Sequence, residues 1–249
     1  MPKFMRIKLL LLLVFSVTIC AAKNNVLSNV VMKNGTVIEN AEINLPKSWD
    51  KEVTLKFDGE KQKINADSIG HIIFWYSKYP DNKQIICWHT YGSFDIETGE
   101  YNLNRGHNSK KREPSRQWFA LQNTGEFVNL WSCFSEIKQI KDKIYFSTTL
   151  SSPFFFQKQD GAFVHVPFSI FSSSKTRKWL SVFFSDDEEL VELLSDKSQL
   201  YSRSSGFRLG SLYTPYKYED IVKLYVAGRK NSSPGAQQYF NPKYLQLTK

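Results

Sequence analysis

Histidine and cysteine, the side chains that most often build metal centres and nucleophilic sites, are scarce: four histidines and three cysteines among 249 residues. His71, His89, His107 and His165 are scattered, with no two on one helical face or in one short strand pair, so no metal site is expected. Glycine numbers only 12. No Gly-rich loop with a Lys follows a strand, as phosphate binding would need, and Gly-x-Ser-x-Gly is missing, since Gly206 to Ser211 lacks that spacing. No cofactor is expected, and no residue is given a catalytic role. Asp186, Asp187, Glu188 and Glu189 are adjacent rather than spaced as a glycosidase pair, and helix capping accounts for them. No internal repeat is present.

Long apolar runs are also missing, with one short exception at the start. Met1 to Lys8 is basic, and Leu9 to Ile19 is apolar over 11 residues, too short to span a bilayer and suited to a secretory signal. Cleavage after Ala22 would leave 227 residues beginning at Lys23. A rival reading takes Val17-Thr18-Ile19-Cys20 as a lipobox that lipidates Cys20, although Ile19 stands where a small residue is usual. Either way the expected location is the periplasm or the outer membrane. The net charge of +9 includes Lys3, Arg6 and Lys8, so the remainder carries +6, a modest surplus that leans towards anionic lipid or polysaccharide. Nucleic acid is not an expected partner in that compartment.

Cys87 and Cys133, the two cysteines beyond the leader, both fall in strand-like runs. Export permits a disulfide between them, worth about 4 kcal/mol on the chain-entropy model. The other reading, preferred here, is two buried thiols acting as small hydrophobes.

What is abundant is β-type pattern and aromatic side chains. From Val26 to Trp75 short alternating runs are joined by Asn34-Gly35 and Asp58-Gly59, both tight-turn signals. Val53-Thr54-Leu55-Lys56-Phe57 alternates as a half-buried strand does. Such short strands suit a small barrel-like unit over residues 23–100. Residues 101–116 read as a basic linker, with Arg105, Lys110, Lys111, Arg112 and Arg116 against a single acid, Glu113, between Asn104 and Arg116. Gln117 to Pro167 reads as an antiparallel meander carrying the main core, split by turns at Asn123-Thr124-Gly125 and Asp160-Gly161. Helices are expected over Lys175 to Phe184, after Ser185 with Leu190, Val191, Leu193 and Leu194 inward, and over Tyr218 to Val226. They complete a unit over 117–228, with a loosely held tail at 229–249. The fold class is therefore α+β: mainly antiparallel β with two or three C-terminal helices.

Several of these features resemble exported Bacteroidetes-type proteins of unknown function: the Asn-Gly-Thr hairpin, the later Asp67-Ser68-Ile69, the aromatic meander with its Gly turn, Phe183-Phe184-Ser185-Asp186, and Glu219-Asp220-Ile221-Val222-Lys223-Leu224-Tyr225. The basic insert at Arg105 to Arg116 and the Ser-rich stretch at Tyr201 to Ser211 depart from that pattern. The resemblance implies envelope localisation and architecture and carries over no catalytic residue. Separately, Val30 to Phe74 looks like small barrels of the Sm or SH3 kind.

Function then rests on composition. Of the 15% aromatic residues most are expected in the core, and Trp75, Tyr76, Tyr79, Trp88 and Tyr91 are the better candidates for a surface ligand patch, with burial the preferred reading for most of them as well. Arg105, Lys110, Lys111, Arg112 and Arg116 are candidates for contact with anionic lipid, the preferred reading being a solvated loop. The expected role is a non-enzymatic envelope module binding a protein or a glycan, with a hydrolase of glycan or peptide as the alternative.

Overall fold

The computed structural model describes residues 25–104, 114–148, 154–158, 161–167, 173–195 and 218–225. The leader with Cys20, the basic residues Arg105, Lys110, Lys111 and Arg112, His107, the 201–211 stretch and the 229–249 tail lie outside the described residues.

Fourteen strands are formed among them: β1 Val26–Met32, β2 Val37–Asn44, β3 Glu52–Phe57, β4 Glu60–Asn65, β5 Ile69–Tyr76, β6 Tyr79–Thr90, β7 Gly92–Phe94, β8 Tyr101–Leu103, β9 Arg116–Thr124, β10 Val128–Cys133, β11 Glu136–Ile140, β12 Lys143–Ser147, β13 Phe154–Lys158 and β14 Phe163–His165. Three short helices follow, α1 Ser173–Phe183, α2 Glu188–Ser195 and α3 Tyr218–Leu224. The turn chemistry is that of tight hairpins. At the β3–β4 turn Asp58 and Gly59 both have positive φ, 50° and 83°, the twist that matches right-handed flanking strands. Gly35 closes the β1–β2 turn at φ 87° and donates its N–H to the Met32 carbonyl.

Twelve strands join in one sheet, ordered β4-β3-β2-β1-β5-β6-β9-β10-β13-β14-β7-β8 and antiparallel except for the β14–β7 pair. The β6–β9 ladder carries this sheet from the N-terminal strands into the aromatic region without a break. The N-terminal unit is therefore not a closed barrel: its strands run out to β4, a polar free edge carrying Lys61 and Lys63, which guard an edge against further pairing. The expected meander is also interrupted. Strands β9, β10, β13 and β14 are neighbours, but β11 and β12 leave to form a separate hairpin whose Ile137, Ile144 and Phe146 cover the N-terminal core.

The sheet rolls at its C-terminal half. Strand β6 passes through Tyr91 alone into β7, and β7 pairs with β14 at the other side of β9, β10 and β13. In a flat sheet β6 and β14 would stand four strand spacings apart, about 19 Å. Instead the His89 ring stacks on Phe163 with centroids 4.4 Å apart. The concave face holds Phe119, Trp131, Phe155 and Phe163, all essentially buried, with Phe119 centred 4.8 Å from both Phe155 and Phe163. The opposite face, through Val128, Leu130, Phe156 and Val164, receives the helices by way of Trp179, Leu180, Phe184 and Leu190.

Lys158 at the end of β13 fastens those helices. Its ammonium donates to the Phe183 carbonyl at 2.8 Å and to Asp186 at 2.9 Å, and lies within 4.9–5.3 Å of the ring centres of Phe183, Phe184 and Tyr225. Tyr225, just after α3, donates its hydroxyl to the other Asp186 oxygen. The four acids expected to share one helix turn thus divide their work: Asp187 caps α2 by accepting the Leu190 N–H at 3.0 Å, while Asp186 is drawn out of the helix to Lys158.

Candidate functional site

The β2–β3 connection is the one place among the described residues where a large aromatic side chain is held out by a turn that is itself pinned. The Asp50 carboxylate accepts the Lys47 N–H at 2.8 Å, and the Asp50 N–H donates to the Lys47 carbonyl at 3.1 Å, which closes the turn. Strand β9 then ties it down, with the Trp118 N–H on the Ser48 carbonyl at 2.9 Å and the Trp118 indole N–H on the Asp50 carbonyl at 2.8 Å. The Lys51 carbonyl accepts from Ala66 N–H at 2.8 Å. Ser48 is buried by this arrangement, yet Trp49 between those ties is 58% exposed, the most exposed of the large hydrophobic residues described.

Beside the turn, Asp67 accepts the Trp88 indole N–H at 2.8 Å and pairs with Arg116. Partial burial pushes the Asp67 carboxyl up, but the Trp88 and Arg116 hydrogen bonds and the charges of Arg116 and Lys33 outweigh it and hold the group below its ordinary value. Arg116 is the one member of the proposed anionic-lipid set that is described, and it is engaged with Asp67 at the head of β9.

The aromatic set drawn from the sequence does not make a surface patch. Trp75 and Trp88 are 7% and 5% exposed, because β5 and β6 lie inside the sheet with neighbours on both sides. Tyr91 packs edge-on against Phe119 and Phe155 within the rolled core. Tyr76 and Tyr79 face each other at the end of the β5–β6 hairpin, half-buried. Trp49 was missed because a lone Trp in Pro46-Lys47-Ser48-Trp49-Asp50 shows no periodicity; the Ser-x-Asp around it signals only a turn.

A shallow concavity of about 470 Å³, open to solvent and lined partly by the exposed Asn44, Lys56 and Lys61, lies against the strands that this turn joins. Its polar lining comes from Asn25, Glu42, Asn44, Thr54, Lys56 and Lys61. Ladder register explains the convergence, since Glu42 stands opposite Lys56, Lys56 opposite Lys61, and Asn44 opposite Thr54. Lys56 Nζ lies 3.9 Å from Glu42, whose other oxygen accepts from the Asn25 amide at 2.9 Å.

Cys87 and Cys133 are both buried free thiols. They stand at one register on either side of Phe119, so two strand spacings, about 10 Å, separate them, beyond the roughly 7 Å that a disulfide spans. Burial raises both thiols, Cys87 strongly and Cys133 less. Burial also lowers His71 and His89, the latter offset in part by its hydrogen bond to the Thr90 carbonyl at 2.8 Å. His165 packs against Phe155. No group of three His, Cys, Asp or Glu able to hold a metal occurs among the described residues, and no helix among them is long and apolar enough to cross a membrane. The chain matches no protein-family model, no curated protein and no solved structure.

Proposed function

We propose that this chain is a non-enzymatic binding module of the cell envelope that recognises a glycan through its β2–β3 unit. One observation carries the reading: Trp49 is exposed on a turn held by backbone hydrogen bonds to β9 and to the segment before β5. An exposed indole face is costly to leave in water, whereas a sugar ring or a partner side chain laid on it recovers that surface. Because the turn is already fixed, little conformational freedom is lost on binding. The polar cavity against the same two strands supplies hydroxyl-recognising groups, Asn44 and Thr54 among them. Export, suggested by the basic and apolar start of the chain, would bring the module to envelope polysaccharide.

The test is a glycan array probed with the full chain and with Trp49→Ala, folding being checked by circular dichroism. Specific retention that Trp49→Ala abolishes supports the reading. Retention unaffected by Trp49→Ala, or none at all, contradicts it.

A further inference from the structure

A single row across β2, β3 and β4 reads Glu42, Lys56, Lys61, each directly opposite the next. One carboxylate therefore faces two ammoniums on one side of the sheet. Like charges directly opposite in an antiparallel pair repel, and although a lysine on β4 guards the free edge, that role does not call for a second lysine across from it on β3. The neighbouring charge is balanced locally, Lys63 lying 3.3 Å from Glu52 and Lys56 lying 3.9 Å from Glu42. None of the ion pairs among the described residues includes Lys61, and Lys61 lines the cavity with Lys56. The surplus positive charge of the row thus falls inside a concavity whose remaining polar groups are amides and a hydroxyl, Asn25, Asn44 and Thr54.

We infer that this cavity takes the carboxylate of an acidic sugar, a hexuronic acid unit, with Lys61 and Lys56 on the carboxylate and Asn44 and Thr54 on ring hydroxyls. The inference rests on the glycan-binding reading and narrows it to one class of sugar. A volume of about 470 Å³ lies within the range of small-molecule sites and exceeds what one monosaccharide fills. A carboxylate between the two lysines replaces their repulsion with two charge-assisted hydrogen bonds. Glu42 already pairs with Lys56, so the ligand carboxylate has to draw that ammonium away from it, and Lys61 is the principal contact.

The experiment titrates the full chain, labelled with nitrogen-15, with glucuronate, galacturonate, glucose and inorganic phosphate, and follows amide shifts. Expected are shifts at Asn44, Thr54, Lys56 and Lys61 with the uronates, little response to glucose, and weakening at higher salt. Lys61→Gln should weaken uronate binding about tenfold or more, the loss of one charge-assisted bond, whereas Glu42→Gln should tighten it by freeing Lys56. These lysines are substantially exposed, so the variants are expected to fold, which unchanged amide spectra outside β2–β4 will verify. Glucose binding as well as glucuronate would overturn the acidic-sugar inference and leave the glycan reading standing. Phosphate matching the uronates would overturn it by reducing the site to a plain anion site. No response to any of the four would overturn it, and a simultaneously blank glycan array would remove the broader reading as well.

Discussion

Replacing Lys158 by Met keeps the length and most of the apolar stem while removing the charge that ties β13 to the end of α1, to Asp186 before α2 and to Tyr225 after α3. Three contributions are lost: a bond to the Phe183 carbonyl, the pair with Asp186, and the placement over three aromatic rings. Hydrogen bonds from charged groups are worth about 1.5–3 kcal/mol. Asp186 is 45% exposed, so solvent screening leaves its pair at roughly 0.5–1 kcal/mol. The rings add about 0.5–1 kcal/mol. Lys158→Met should therefore cost about 2.5–5 kcal/mol in urea unfolding at neutral pH, most of it from the carbonyl bond and the rings. The loss must also depend on pH with a fixed sign. Burial pushes the Asp186 carboxyl up, but the Tyr225 hydroxyl and Lys158 more than offset it and hold the folded-state value below the unfolded one. The native state then binds fewer protons, so this stabilisation is present above the unfolded carboxylate value, about pH 4, and fades as pH falls through the folded one. The gap between wild type and Lys158→Met should narrow below about pH 4. A cost under about 0.5 kcal/mol, or a gap that widens in acid, would refute the reasoning.

Other perturbations probe separate parts of the account. A methyl group on Gly125 would sit 2.6 Å from the Val222 carbonyl and 2.8 Å from Val222 Cγ1, so Gly125→Ala should lift α3 off the sheet, cost about 1–3 kcal/mol and speed amide exchange over 218–225; unchanged exchange would contradict that packing. Phe163→Ala removes the ring shared by His89, Phe119 and Trp131 in the rolled core and should cost about 3–5 kcal/mol by denaturant titration, whereas a near-neutral variant would mean that the roll is not held there. A thiol reagent should find neither Cys87 nor Cys133 in the native protein and both after unfolding without reductant, since both are buried; failure to label either of these two after unfolding would reveal a bridge.

Local chemistry was readable in the chain and long-range placement was not. Asn34-Gly35 and Asp58-Gly59 announce their turns because positive φ has few takers, and the alternation of Val53 to Phe57 announces β3. The three helices begin close to where Ser and acidic residues mark them, at Ser173, Glu188 and Tyr218. The pattern of β11, Glu-Ile-Lys-Gln-Ile, is equally that of a half-buried strand inside the main sheet, so its departure with β12 into a separate hairpin leaves no local trace. The roll through Tyr91 is likewise invisible, as it depends on β7 meeting β14 some 70 residues on. Trp88 looked like surface because it precedes a polar turn, but its ladder with Trp118 places it inside. Trp49 escaped for the complementary reason: what exposes it is the pair of hydrogen bonds from Trp118, far away in sequence.

The most direct measurement is binding of a uronic-acid-containing oligosaccharide to the full chain and to Trp49→Ala, by calorimetry under one salt condition. The account predicts measurable affinity for wild type, at least a tenfold loss in the variant, and a fold that the variant keeps, because the turn is held by backbone groups of Lys47, Ser48, Asp50 and Lys51 and not by the Trp49 side chain. Equal affinity in the two proteins, or none in either, would contradict it.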